Sequence, residues 1–193
     1  MTMDKVKLGT HNSLSYHKPA QWWLRPFAWM ARCQDLSIRQ QWDAGVRYFD
    51  IRVKYDKGGT PKSGHGLVTY DVLPWDVLGL LEGYAARDGG EVVVRLFHEN
   101  SRRDPRRHAA EFREFCTAAV AQFGKHVTFV EGGCRHNYYN VLVDDVPARV
   151  CYAEYWRQKL CIPFPRRWAR RNNHRLHRGD SAEEYSIYDF VEL

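Results

Sequence analysis

Four short stretches carry the residues that could do chemistry. GTHNSLSY, Gly9 to Tyr16, places His11 and Asn12 directly after a short strand-like run. GVRYFDIRV carries Asp50 and Arg52, SGHGL carries His65, and EVVVRLFHEN ends in His98, Glu99 and Asn100. Such a set matches what phosphoryl transfer requires: one imidazole takes a proton from the attacking oxygen, another gives one to the leaving oxygen, and a guanidinium meets the phosphate charge bidentately. Residues two apart on a strand point to one face, so Asp50 and Arg52 look into the same space. Each residue alone has a plainer reading, since a histidine near a strand end is commonly a hydrogen-bonded structural group and Asp50 with Arg52 can be an ion pair that serves the fold. Delivered together by successive strands, they favour the chemical reading.

The elements that must position these residues alternate between strand and helix. Strand-like runs are Lys5–His11, Gly45–Val53, Gly64–Tyr70, Glu91–Phe97, Val127–Glu131 and Ala148–Tyr155, several of them nearly continuous in apolar residues, as strands covered on both faces should be. Asp104 as N-cap and Pro105 at the first position open a helix whose stripe is Phe112, Phe115, Cys116, Ala119, Val120 and Phe123, ended by Gly124. A second helix runs from about Pro74 to Ala86 with Val77, Leu81 and Tyr84 on one side, and a third covers about Gln34 to Ala44 before Gly45. Regular alternation of this kind means an α/β fold with parallel strands, whose ligand site lies at the carboxyl ends of the strands. After Tyr155 the periodicity fades, and only Tyr185–Leu193 reads again as an ordered element.

The 193 residues suit one domain spanning 1–193. With 44% hydrophobic and 27% charged residues the composition is that of a globular chain, and no run reaches the roughly 18 apolar residues of a membrane span. No apolar leader precedes Val6, so a cytoplasmic location is the expectation. Five cysteines, an odd number without tight pairs, fit reduced thiols, and Cys134, His136, Cys151, Cys161 and His174 have no familiar zinc spacing. A net charge of +6 favours anionic partners: nucleic acid, phosphoryl substrates or an acidic membrane.

The order GTHNSLSY, CQDLSIRQQWDAGVRYFDIRV, SGHGL and EVVVRLFHEN resembles the X-domain of phosphatidylinositol-specific phospholipases C, especially the eukaryotic type that consists of the X-domain alone. The resemblance covers about residues 5–100 and continues weakly through Val150-Cys151-Tyr152. It implies a TIM-like (βα) barrel of the phospholipase C-like phosphodiesterase type, compact or incomplete here because such barrels need about 250 residues. It also implies cleavage of an inositol phospholipid to diacylglycerol and a (cyclic) inositol phosphate, at a membrane surface to which the protein binds peripherally. Carried over by position, His11 resembles the general base, His65 the general acid, Arg52 the phosphate-stabilising arginine of metal-independent members, and Asp50 the carboxylate supporting the acid histidine. For the late-strand Asp that orients the base in bacterial-type members no position matches outright, and Asp189 in SIYDF is the candidate. Asn12 stands where calcium-dependent members have a metal-binding Asn, but Arg52 occupies the position of their second acid, and a fixed guanidinium can replace the cation. The expectation is therefore no metal, with Asn12 and Glu99 at the substrate; calcium on those two residues is the minority alternative.

Two stretches stay open. QWWLRPFAWM, Gln21 to Met30, suits a bilayer interface or a cap on the barrel core. PFPRRWARRNNHRLHR, Pro163 to Arg178, holds six arginines and suits anionic headgroups, nucleic acid or, most simply, a solvated surface. Two further readings of the whole chain stand beside the phospholipase: a barrel acting on other phosphodiesters, and a non-catalytic barrel that binds anionic phospholipid or inositol phosphate.

Overall fold

A computed structural model describes residues 7–102, 104, 106–132, 148–150, 164–176 and 185–193. The strands are β1 (Lys7–Thr10), β2 (Val46–Tyr55), β3 (Pro61–His65), β4 (Val68–Tyr70), β5 (Val92–His98), β6 (Val127–Gly132), β7 (Ala148–Val150) and β8 (Tyr185–Tyr188). The helices are α1 (Ile38–Asp43), α2 (Pro74–Asp88), α3 (Ala109–Phe123) and α4 (Pro165–Leu176), with a 3₁₀ segment over Trp22–Met30. Parallel pairing runs β7-β8-β1-β2-β5-β6, so six strands point their carboxyl ends the same way. Among the described residues β6 and β7 are not paired with each other, and the sheet is open there.

The two faces of this sheet pack differently. Phe49, Ile51, Val53, Val92, Val94 and Leu96 face outward into a core shared with Val77, Leu78 and Leu81 of α2 and Phe112, Cys116 and Ala119 of α3. The inner face makes its own small cluster from Tyr48, Val93, Val130, Tyr185 and Ile187. Strands buried on both faces read as continuous apolar runs because neither face reaches water. Asp50 and Arg52 follow Tyr48 at two-residue steps, so β2 carries the inner cluster at its start and polar groups toward its end.

Gly9 explains the first residue of the opening motif. It pairs with Tyr48. A Cβ on Gly9 would lie 3.0 Å from Tyr48 Cβ and 3.1 Å from Ile187 Cγ1. The close approach of β1, β2 and β8 around the inner cluster therefore requires glycine there.

Several sequence boundaries move, each for a local reason. The expected strand Gly64–Tyr70 is an antiparallel hairpin, β3 and β4, turning at Gly66 with φ +58. The parallel pattern thus has one antiparallel exception. The helix expected from Asp104 begins five residues later, behind His108 at φ +58, while Asp104 Oδ1 accepts the Arg106 N–H in a local turn. Pro105 lies outside the described residues. Val120 proves exposed, so the α3 stripe is narrower than expected. The helix expected from Gln34 starts at Ile38, capped by Ser37, whose hydroxyl accepts from Gln40 N–H while Gln40 Oε1 accepts the Ser37 N–H. Of the expected Ala148–Tyr155 strand, residues 151–155 lie outside the described residues, as do Cys134, His136, Cys151 and Cys161. No helix among the described residues is long and apolar enough to cross a membrane.

Two glycine substitutions should move stability in opposite directions. Gly9→Ala overpacks the inner cluster and should lower it by about 1–3 kcal/mol, whereas Gly83→Ala, in α2 with nothing within 4 Å of the new Cβ, should raise it by about 0.5–1 kcal/mol. Urea midpoints at unchanged slope measure both.

Candidate active site

The carboxyl ends of β8, β1, β2 and β5 deliver Asp189, His11, Asp50 with Arg52, and Glu99 to one buried cluster. The loop after β1 is shaped to present its histidine. Asn12 adopts φ +46 and donates its backbone N–H to Asp50 Oδ2 at 3.0 Å. Ser13 ties the turn to β2 twice, donating its N–H to the Asp50 carbonyl at 3.0 Å and accepting the Asp50 N–H on Oγ at 2.9 Å. Asn and Ser are the residue types that tolerate such a turn and bond its backbone. Further along, Ser15 Oγ accepts the N–H groups of Cys33 and Gln34, both at 2.9 Å.

Arg52 lies at the centre. Its Nε donates to Asp50 Oδ2 at 3.1 Å, its Nη1 to Glu99 Oε2 at 3.0 Å and its Nη2 to His11 Nε2 at 2.6 Å. A guanidinium has donors only, so His11 Nε2 must accept and the ring proton sits on Nδ1. That N–H donates to Asp189 Oδ1 at 2.7 Å. Asp189 therefore fixes the tautomer that leaves a lone pair on Nε2, the arrangement a general base needs. Asp189, offered by the sequence as the partner of His11, meets it here.

His65 approaches from the β3-β4 hairpin. Its ring lies 6.0 Å from that of His11, edge to face. Its Nδ1 meets the Ala31 carbonyl at 3.2 Å, which leaves Nε2 for the interior. Burial of the ring, reinforced by the Arg52 charge, pushes its pKa down to about 3, so the imidazole is neutral at pH 7. The carboxylate expected beside His65 is on the other side: Arg52 Nε, two residues along the same strand face, and the Asn12 N–H engage Asp50, 4.0 Å from His11 Nε2. Burial would raise the Asp50 pKa, but Arg52, with Arg95, His11 and the Asn12 N–H, holds the carboxyl well below the usual range.

Glu99 and Asn12, the residues left open for calcium, are already engaged. Glu99 Oε1 accepts the Gly66 N–H at 2.7 Å while Oε2 holds Arg52, and Asn12 Nδ2 points to Cys33 Sγ at 3.9 Å. His11, Cys33 and Asp189 bring ligand-type atoms within 4.8 Å of one another. Arg52 contacts the same imidazole, and its charge opposes a cation there. Burial, with Asp189 adding to it, pushes the Cys33 thiol up, so it is a neutral packing group.

His98 does not join the cluster. Strand alternation turns it outward, where it stacks on Phe112 with ring centroids 4.9 Å apart. Arg95 and Phe97 take the inward positions opposite Asp50 and Arg52, with both guanidinium groups over the Phe97 ring.

Buried amides absent from the sequence reading brace the site. Gln34 Nε2 donates to the carbonyls of His11 and Tyr188, at 3.1 and 2.7 Å. Gln41 accepts from Thr10 Oγ1 at 2.9 Å and donates to the Ser13 carbonyl at 2.9 Å. Asn173 of α4 donates to the carbonyls of Asp189 and Phe190, at 2.8 and 3.1 Å. A glutamine inside a helical pattern has no local signature of burial.

No protein-family model matches the chain. In sequence it is 31% identical over 98 residues to the 1-phosphatidylinositol phosphodiesterase of Listeria monocytogenes, and 31% identical over 78 residues to the mouse PI-PLC X domain-containing protein 2. These alignments cover 50% and 39% of the chain but span only 29% and 22% of the two relatives. In fold it is similar to the phosphatidylinositol-specific phospholipase C of L. monocytogenes, with TM-score 0.63 at 15% identity over 96% of this chain and 88% of that one. A double mutant of the Staphylococcus aureus phosphatidylinositol-specific phospholipase C superposes with TM-score 0.66 at 12% identity, over 97% of this chain and 86% of that one.

Arg52→Leu should cost about 3–5 kcal/mol at pH 7, because Asp50 and Glu99 remain buried without their cation. The sign of the pH dependence should also change. In the native chain the folded Asp50 pKa lies below the ordinary 3.8, so its pairing stabilises the fold above about pH 4 and is lost as pH falls. Without Arg52 the folded pKa rises, and part of the lost stability should return on acidification through the carboxylate range. Urea titrations of both chains at pH 7, 5 and 3 test this.

Proposed function

We propose that this chain, similar in sequence over up to half its length and in fold to phosphatidylinositol-specific phospholipases C, is an X-domain-like phosphodiesterase that cleaves the phosphodiester of an inositol phospholipid with His11 as base and His65 as acid, on a barrel of the phospholipase C-like type. The observation that carries the reading is the Asp189–His11–Arg52 chain of hydrogen bonds facing a second imidazole. The phosphate enters between the two rings and draws Arg52 Nη2 away from His11, freeing the lone pair. His11 Nε2 then removes the proton of the inositol 2-hydroxyl, whose oxygen attacks phosphorus as the bond to the glycerol oxygen breaks. His65 protonates that leaving oxygen, and the products are diacylglycerol and cyclic inositol phosphate.

Electrostatics gives each group its part. An anionic diester beside His65 offsets the Arg52 charge and raises the proton affinity of the ring toward the charged form that a general acid needs. Arg52 supplies the positive charge that a metal supplies elsewhere, and its two carboxylate partners fix its plane. Asp50 holds Arg52 and the His11 loop. Asn12 and Glu99 shape the substrate side, Glu99 by fixing both Arg52 and Gly66.

The lipid surface is met by the aromatic segment after β1. Trp22 and Trp23 are 73% and 58% exposed, and Phe27 is 60% exposed. These values argue against the core-cap reading and suit an interfacial contact for a peripheral protein.

Hydrolysis of phosphatidylinositol in mixed micelles should persist in EDTA and fall by about 10²–10⁴ in His11→Ala or His65→Ala. Turnover that requires calcium would return Asn12 and Glu99 to a metal site; lipid binding without turnover would establish the binding-module reading. Trp22→Ala with Trp23→Ala should weaken sedimentation with liposomes while leaving hydrolysis of a soluble short-chain substrate intact.

A further inference from the structure

The basic stretch after Pro163 lines a cavity that the chemistry above does not use. The space, about 640 Å³, lies between the 3₁₀ segment and the start of α4, and Trp29, Phe164, Arg166, Arg167, Arg170 and Phe190 form its wall. Trp29 and Phe164 stack with ring centroids 5.5 Å apart, although both are about half exposed. Arg166 is neutralised by Asp35 and lies over the Phe190 ring, and Arg32 also bonds Asp35 at 3.3 Å. Arg167 and Arg170 are exposed and pair with no acid among the described residues. The cavity thus has an aromatic floor and two guanidinium groups that no acid among the described residues neutralises.

Its position is tied to the catalytic cluster at both ends. Trp29 precedes by two residues the Ala31 carbonyl that bonds His65, and Phe190 follows Asp189, with Asn173 of α4 bonding both of their carbonyls. The exposed Trp22, Trp23 and Phe27 belong to the same 3₁₀ segment as Trp29.

We propose that this cavity is a second lipid site, separate from the His11–His65 cluster, that takes one anionic phospholipid without cleaving it. Its phosphate sits on Arg167 and Arg170, and its glycerol and first acyl carbons lie against Trp29, Phe164 and Phe190. Charge complementarity and the exposed aromatics of the same 3₁₀ segment select this occupant: a nucleic acid would need stacking surfaces open to bases along a basic track, whereas here the aromatics form one pocket wall. The site prefers anionic over zwitterionic bilayers whatever lipid the catalytic cluster cleaves, and it rests on the membrane reading only in requiring a lipid surface.

The test uses vesicles of phosphatidylcholine alone and with 20% phosphatidylglycerol, the full chain, and the variant R167A/R170A, with R106A/R107A as a control pair elsewhere on the surface. The native chain should bind the anionic vesicles more tightly, and R167A/R170A should bind them about 30-fold more weakly, from about 1 kcal/mol per arginine near an anionic surface. R106A/R107A should change binding less than threefold, and thermal melting should show both variants folded. Calorimetry with short-chain phosphatidylglycerol below its micelle concentration should give one site per chain in the native protein and none in R167A/R170A. Equal loss in both arginine pairs, or no single-molecule binding, overturns the proposal in favour of diffuse surface charge. Unchanged vesicle binding with loss of salt-sensitive RNA binding in R167A/R170A overturns it in favour of nucleic acid. Hydrolysis in neutral detergent should be the same in R167A/R170A and native chains, and His11→Ala should bind vesicles normally, so failure of this site and failure of the catalytic reading give different results.

Discussion

A guanidinium without water must find its partners inside the protein, and Arg52 sets that requirement for the whole site. It is 5% exposed, and its side chain bonds partners from three different elements: Asp50 on β2, Glu99 after β5 and His11 after β1. Burying one cation costs several kcal/mol unless its partners are fixed. The need to hold Asp50 therefore brings in the Asn12 N–H, and the need to hold Glu99 brings in Gly66 and with it the hairpin that carries His65. One charge organises both imidazoles.

The same charge makes the resting site self-satisfied. Arg52 occupies the lone pair of His11, and with burial it keeps His65 unprotonated. In the proposed reaction, a phosphate that takes Arg52 would free the His11 lone pair and raise the proton affinity of His65 together, so one binding event would act on both imidazoles. Cys33 and Tyr70, whose proton affinities burial raises, stay neutral beside this cluster and add no competing charge.

The fold's division of labour explains why such a polar cluster is affordable. Helices α2 and α3 cover the outer sheet face with the larger apolar core, and the inner face closes on five residues below the polar layer. The carboxyl ends of the strands are then free to hold charge, which is where parallel α/β folds place their sites.

Much of this was legible in the sequence because it is local. Strand parity placed Asp50 and Arg52 on one face, apolar runs located β2, β5 and β6, and the four short motifs named His11, Arg52 and His65 as well as the family likeness. The hairpin at Gly66 leaves no mark in the sequence pattern, because two short strands and one long one share the same apolar content. For His98 a place at a strand end does not say which face it takes; its register opposite Val53 turns it onto Phe112. The tertiary structure joined His11 to its candidate partner Asp189, 178 residues away, chose the ion pair with Arg52 for Asp50 over a place beside His65, and recruited Gln34, Gln41 and Asn173 to hold backbone carbonyls. Residue type and period are properties of neighbours along the chain, whereas a buried hydrogen bond depends on which strand ends meet in space, and that is decided by packing of the whole sheet.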